Sequence, residues 1–213
     1  PPVVVAVACL ATAVAYFVPF WPELAEGAAF APDTLARVFF HQGTLERFAG
    51  GGQDLGGTLW TYDHVARMLA GTAGTVDPTL FVPVGFDVGR AQGFAWLDAL
   101  LAWPLVQVLG STGFYNLWVL LVLAGDVLCL YLLFREADAP WVVALVLAVA
   151  CTWSPYVREE LHEGRPTQVL LWFHALGLQQ VVRLLTGRGR PWVAGLAAGT
   201  LLAAACYVYW FGA

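Results

Sequence analysis

Phe94 to Leu109 read FAWLDALLAWPLVQVL. The run is apolar enough for lipid but short: at ~1.5 Å per helical residue it reaches only ~24 Å, less than the ~30 Å of a hydrocarbon core. Asp98 sits one turn in, and Pro104 interrupts the helical hydrogen-bond ladder further along. These features describe a helix that lies in the interface, or dips into the bilayer and returns. Five other stretches have the length and apolarity of spans: 3–21, 114–134, 140–157, 167–186 and 191–211. Arginine placement arbitrates, because basic residues in short loops stay on the cytoplasmic side. If 94–109 crosses, Arg135, Arg183, Arg188 and Arg190 share the outer side with segment 22–93. If it turns back, those four lie inside, and only Arg158 and Arg165 remain in a short outer loop. The second arrangement is preferred. It predicts an all-α, polytopic transmembrane helical bundle of about five spans plus surface or re-entrant helices, with the amino end inside.

Composition agrees with a membrane protein. Of 213 residues, 60% are hydrophobic and 12% charged, and the mean hydropathy is +0.70. All ten basic residues are Arg and the formal charge is −5, so no basic stripe exists to neutralise a phosphate backbone. Nucleic acid is therefore excluded as a partner, and membrane lipids are expected. Cys9, Cys129, Cys151 and Cys206 each lie in an apolar run without metal-ligand spacing, and read as buried small hydrophobes. Residues 1–213 divide most simply as a single membrane domain: a first span at 1–21, a long extracytoplasmic segment with surface helices at 22–113, and four further spans at 114–213. The chain opens Pro1, Pro2 and stops within an apolar run, so it is expected to be part of a longer protein. In the last span, Gly195, Gly199 and Ala203 recur every four residues, a small-residue face for close helix contact.

Function is sought on the outer face. Within 22–113, Pro32 and Asp33 introduce one surface helix, and Thr58 to Leu69 reads as another. Between them, five glycines surround Asp54 in GGGQDLGG. A carboxylate in such a turn can be approached closely, and can act as a general base or hold a divalent cation; equally, it can simply cap the following helix. The loop Arg158, Glu159, Glu160, Leu161, His162, Glu163, Gly164, Arg165 is dense in charge. Its arginines can grip a phosphate, and His162 with Glu159, Glu160 and Glu163 can hold a metal or contact an acceptor; the alternative is a solvated connector whose charges pair with one another. Asp126 and His174 fall near the middle of their spans, as a pair or as separately hydrogen-bonded groups. Asp63, Asp77, Asp87 and Arg90 are read as ordinary polar residues of an exposed segment, and His41 and His64 have no evident partner in sequence.

The order of these features is more specific than any one of them. QDLGGTLWTYDHVARMLAG precedes DPTLFVPVGFD; WLDALLAWPLVQVLG leads into a span ending in Arg; AVACTWSPY ends the next span, and GRPTQVLLWF starts the one after. This resembles the amino-terminal module of the GT-C membrane glycosyltransferases, which include the dolichyl-phosphate-mannose and aminoarabinose transferases. The resemblance implies transfer of a sugar from a polyprenyl-phosphate donor to a glycan, lipid or protein acceptor at the extracytoplasmic face, from an integral position in the bacterial inner (cytoplasmic) membrane. It implies that Asp54, in the first outer loop, is the catalytic carboxylate, although Leu55 stands where a Glu often follows. Arg165 with Pro166 matches the Arg-Pro at the start of a later span, which makes Arg165, assisted by Arg158, the donor-phosphate residue; Thr167 stands where an acid often follows. A divalent cation, Mg or Mn, is a possible cofactor. Two other readings stay open: a transporter or flippase component working through Asp126 and His174, and a scaffold that kept the module without its chemistry.

Overall fold

The computed structural model describes residues 2–17, 55–79, 85–87 and 96–208, with the side chains of 96–98, 112 and 206–208 set aside. Among the described residues the chain is mostly helical, with seven α-helices and one minimal antiparallel ribbon. In chain order these are α1 (Pro2–Phe17), α2 (Leu55–Leu69), β1 (Val76–Asp77), β2 (Phe86–Asp87), α3 (Trp96–Glu136), α4 (Trp141–Thr152), α5 (Pro155–His162), α6 (Trp172–Leu185) and α7 (Pro191–Val208), with a 3-10 turn at Pro166–Val169.

Two helical stretches, Gly113–Glu136 and Trp141–His162, are long and apolar enough to cross a membrane. Their outer faces are greasy too: Leu121 and Leu128 on α3, and Val142, Val146 and Leu147 on α4, are all exposed. An apolar exterior of this kind suits a hydrocarbon solvent, where hydrophobicity does not sort inside from outside. For the same reason Cys151, expected to be buried, is exposed, whereas Cys9 and Cys129 are buried. The side chain of Cys206 lies outside the described residues.

α3 breaks at Gly110, whose φ of 72° and ψ of 164° no L-residue adopts comfortably. The arm before the break, which includes the stretch Trp96 to Leu109, is therefore a separate helix. It buries Ala99, Ala102 and Val106 in the same apolar cluster as Phe17, Leu55, Tyr62, Phe114, Val157 and Leu161. That cluster also holds the carboxyl end of α1 and the buried face of α2. A second cluster, of Val5, Cys9, Val127, Leu130, Ala148 and Ala175, marks the opposite end. There the connection after α3 meets the connection after α6: Arg183 donates to Glu136 at 2.8 Å, and Arg188 to Asp138 at 2.7 Å.

Stretch 167–186, expected as one continuous span, is instead the 3-10 turn followed by the 14-residue α6. Pro166 starts the turn, Leu170 leaves helical dihedrals (φ −73°, ψ 86°), and Asp126 Oδ1 accepts the freed Leu171 amide at 2.9 Å.

Candidate functional site

α2 starts at Leu55, three residues before the expected Thr58. Gly56 and Gly57 are poor helix formers, so tertiary contacts must fix this first turn. Leu55 is buried in the cluster at this end of the bundle, and the Thr58 hydroxyl donates to the Gly164 carbonyl at 2.8 Å.

The charged stretch 158–165, expected as a short loop, is mostly the helix α5. Its start was legible as a cap: the Ser154 hydroxyl accepts the Val157 amide, and Pro155 holds the first helical position. Its end is a Schellman closure. The Gly164 amide donates to Leu161 O at 3.1 Å and the Arg165 amide to Glu160 O at 2.8 Å, with Gly164 at φ +84°. That glycine serves twice. A Cβ on it would lie 2.5 Å from the Leu55 Cα and 2.7 Å from the Leu55 nitrogen, so only a glycine lets the two backbones meet.

Val157 and Leu161 anchor α5 in the core, which leaves Arg158, Glu159 and His162 exposed and Glu160, Glu163 and Arg165 half-buried. Arg165 Nη1 donates to Glu160 Oε2 at 3.3 Å. Arg158 lies within electrostatic reach of the Tyr16 hydroxyl, which places it beside the end of α1. The structure therefore brings Arg158, Arg165, the end of α1 and the first turn of α2 to one region. Asp54, Arg90 and His41 lie outside the described residues, as does the surface helix expected after Asp33. Among the described residues no three His, Cys, Asp or Glu side chains converge as metal ligands, so Glu159, Glu160, His162 and Glu163 do not form the cation site foreseen for them.

Two polar residues behave differently from expectation. Asp77, read as exposed, is 6% exposed, and His64, read as partnerless, is 2% exposed and meets it. Asp77 Oδ1 accepts from the Thr79 hydroxyl at 2.6 Å and the Thr79 amide at 2.8 Å, while Oδ2 accepts from the Trp60 indole at 3.0 Å. The His64 ring stacks on Trp60, turns Nε2 toward Gly74 O at 3.1 Å, and holds Nδ1 3.5 Å from Asp77 Oδ2. The Thr79 hydroxyl and amide, followed by Trp60 and His64, hold the Asp77 carboxyl below the usual carboxylate range against the opposing effect of burial. This cluster pins the ribbon to α2; with every polar group turned inward, it is a staple rather than a reactive centre. Asp63 is exposed and pairs with Arg67 one turn on, at 2.9 Å, and Asp87 lies half-buried in β2.

Asp126 is fully buried, and its hydrogen bond goes to the Leu171 amide rather than to His174. An apolar groove of about 730 Å³ runs between α1 and α3, lined by Val5, Cys9, Leu10, Leu121, Leu128 and Trp172 among others, and no charged candidate residue lines it. Compared with known protein families, curated proteins and solved structures, the chain matches none.

Proposed function

We propose that this chain is a membrane glycosyltransferase acting at the extracytoplasmic face of a bacterial inner membrane, with about five spans, a GT-C-like arrangement and a polyprenyl-phosphate sugar as donor. The observation that carries the reading is the backbone contact between Leu55 and Gly164. These residues are the immediate sequence neighbours of Asp54 and Arg165, the proposed acid and the proposed phosphate ligand. Leu55 and Gly164, 109 positions apart, have no local reason to meet, whereas direct sugar transfer requires a base on the acceptor side of the anomeric carbon and a positive charge on the phosphate side.

In the proposed reaction, Asp54 takes the proton from the acceptor hydroxyl. The hydroxyl oxygen attacks the anomeric carbon, the bond from that carbon to the carrier phosphate oxygen breaks, and Arg165 with Arg158 stabilises the departing phosphate. A single direct displacement inverts the anomeric configuration. The apolar groove and the greasy outer faces of α3 and α4 suit a chain that handles a lipid-linked substrate. A transport role for Asp126 and His174 gains no support from the geometry, since Asp126 is engaged by a backbone amide.

The test is sugar discharge from tritiated polyprenyl-phosphate hexoses and pentoses by membranes containing the full protein. Asp54→Asn and Arg165→Gln should each abolish discharge while the protein still assembles in the membrane. Full discharge by Asp54→Asn would overturn the assignment.

A further inference from the structure

We propose that the end of the bundle where the connection after α3 meets the connection after α6 binds the headgroup of an acidic phospholipid, through Arg135 and Arg190. The inference rests on α3 and α4 crossing a bilayer and is independent of the sugar-transfer reading. The turn between them joins two stretches long and apolar enough to cross, and a turn between two spans emerges at a membrane face. Side-chain bonds tie the second connection to it: Arg188 Nη1 donates to the Glu136 carbonyl at 2.7 Å, and Nη2 donates to both Asp138 carboxylate oxygens at 2.7 Å. The two connections therefore share that face.

Trp141 opens α4 three residues past Asp138, and Trp192 is the second residue of α7, four past Arg188. They are 41% and 68% exposed. Indole rings on a membrane protein's surface favour the headgroup level, so this pair marks the height at which lipid phosphates lie. Charge at that height is lopsided. Among the described residues of the two connections, Arg135, Arg183, Arg188 and Arg190 stand against Glu136 and Asp138. Arg183 pairs with Glu136 and Arg188 with Asp138, so those four charges cancel. The surplus falls to Arg135 and Arg190, both exposed. Arg135 Nη1 donates to Ala139 O at 2.7 Å, which holds the guanidinium over the turn. The planar fork of a guanidinium matches a phosphate, and basic groups gathered at the ends of spanning helices recognise anionic headgroups. Val142 and Leu185, exposed beside the same connections, add apolar flanks that suit acyl chains. A lipid uses the arginines and the flanks together, whereas a soluble phosphate uses the arginines alone.

Native mass spectrometry of the full chain, released from detergent with dioleoylphosphatidylglycerol or dioleoylphosphatidylcholine, reads the affinity for each lipid. The acidic lipid should bind roughly twentyfold more tightly than the zwitterionic one, and Arg135→Gln and Arg190→Gln should each weaken it about fivefold, the effect of one charge beside an anionic surface. The double variant should bind the two lipids alike. Arg67→Gln, which removes an exposed arginine on α2, should leave both affinities unchanged. Equal affinity for the two lipids in the unsubstituted chain, or a preference that survives in the double variant, overturns the proposal. Displacement of phosphatidylglycerol by sn-glycerol 3-phosphate at matched concentration also overturns it, in favour of a soluble anion. Should Arg135→Gln fail to assemble, Arg190→Gln decides alone, and an undiminished preference in that variant overturns the assignment.

Discussion

Gly164 closes α5 in the left-handed region and lies directly against the backbone of Leu55, where a methyl group would fall 2.5 Å from the Leu55 Cα. Gly164→Ala therefore faces two penalties. The left-handed backbone costs a β-carbon about 1–2 kcal/mol, and the clash with a neighbouring backbone must in addition push α2 away from α5. Gly187, at φ +68° with nothing within 4 Å of its Cβ position, isolates the first penalty. Thermal unfolding in detergent should show Gly187→Ala destabilised by about 1–2 kcal/mol and Gly164→Ala clearly more, with transfer activity lost only in the latter. Equal effects of the two changes would show that the Leu55 contact carries no weight.

Trp172 lies over Gly125 so closely that a Cβ there would clash with the indole, and the Trp172 Nε1 donates to Val122 O at 3.1 Å. Gly125→Ala should displace the ring and break that bond, costing on the order of 2–3 kcal/mol as an overpacked site with an orphaned donor. Trp172→Ala removes both the clash and the donor, so the double substitution should be no less stable than Trp172→Ala alone. Additive losses in thermal unfolding would refute the contact.

That the chain is mostly helical, and that Gly113–Glu136 and Trp141–His162 are long and apolar enough to cross a membrane, is visible in the sequence, because long apolar runs follow directly from bilayer physics. Arg188, in the connection after α6, pairs with Glu136 and Asp138 at the end of α3 and just beyond it. The short length and Pro104 of the 94–109 stretch likewise foretold a helix distinct from the span after it, and Gly110 makes the break. Long-range pairings were not legible. His64 and Asp77 meet only because the turn after α2 folds back, and Thr58 finds Gly164 across 106 residues with no motif to announce it. The exposure of Cys151 was hidden for a different reason: in lipid-facing helices an apolar residue carries no information about which way it points. The cap signals Ser154-Pro155 and Gly164 were present in sequence and would have turned the supposed loop at 158–165 into α5.

Asp77 gives the staple between α2 and the ribbon a pH dependence. Its carboxyl is held below the ordinary value of about 3.9 by Thr79, Trp60 and His64. A carboxyl depressed on folding contributes its stability in full above the unfolded value and loses it as pH falls through the lower folded value. Proteolysis in the turn at Gly71–Gly74 should therefore be slow from neutral pH down to about 4 and accelerate below it. In Asp77→Asn the turn should be cut rapidly at neutral pH, with the acid-dependent step gone. Unchanged protection in Asp77→Asn would mean that the carboxylate is not what holds the turn.

Asp126 separates a structural carboxylate from a working one. Its one hydrogen-bonded oxygen accepts the Leu171 amide, freed where the 3-10 turn gives way to α6, and an asparagine carbonyl can accept the same bond without a charge. If the group is structural, Asp126→Asn should unfold within about 1 kcal/mol of the parent and keep its activity, whereas Asp126→Leu, which strands the amide, should cost on the order of 2 kcal/mol. A proton-carrying carboxylate gives the opposite pattern: asparagine is isosteric but cannot exchange a proton at neutral pH, so Asp126→Asn would be stable and inactive. Thermal unfolding and activity measured on the same two variants therefore decide between the roles, and the bond to Leu171 predicts that the asparagine protein works.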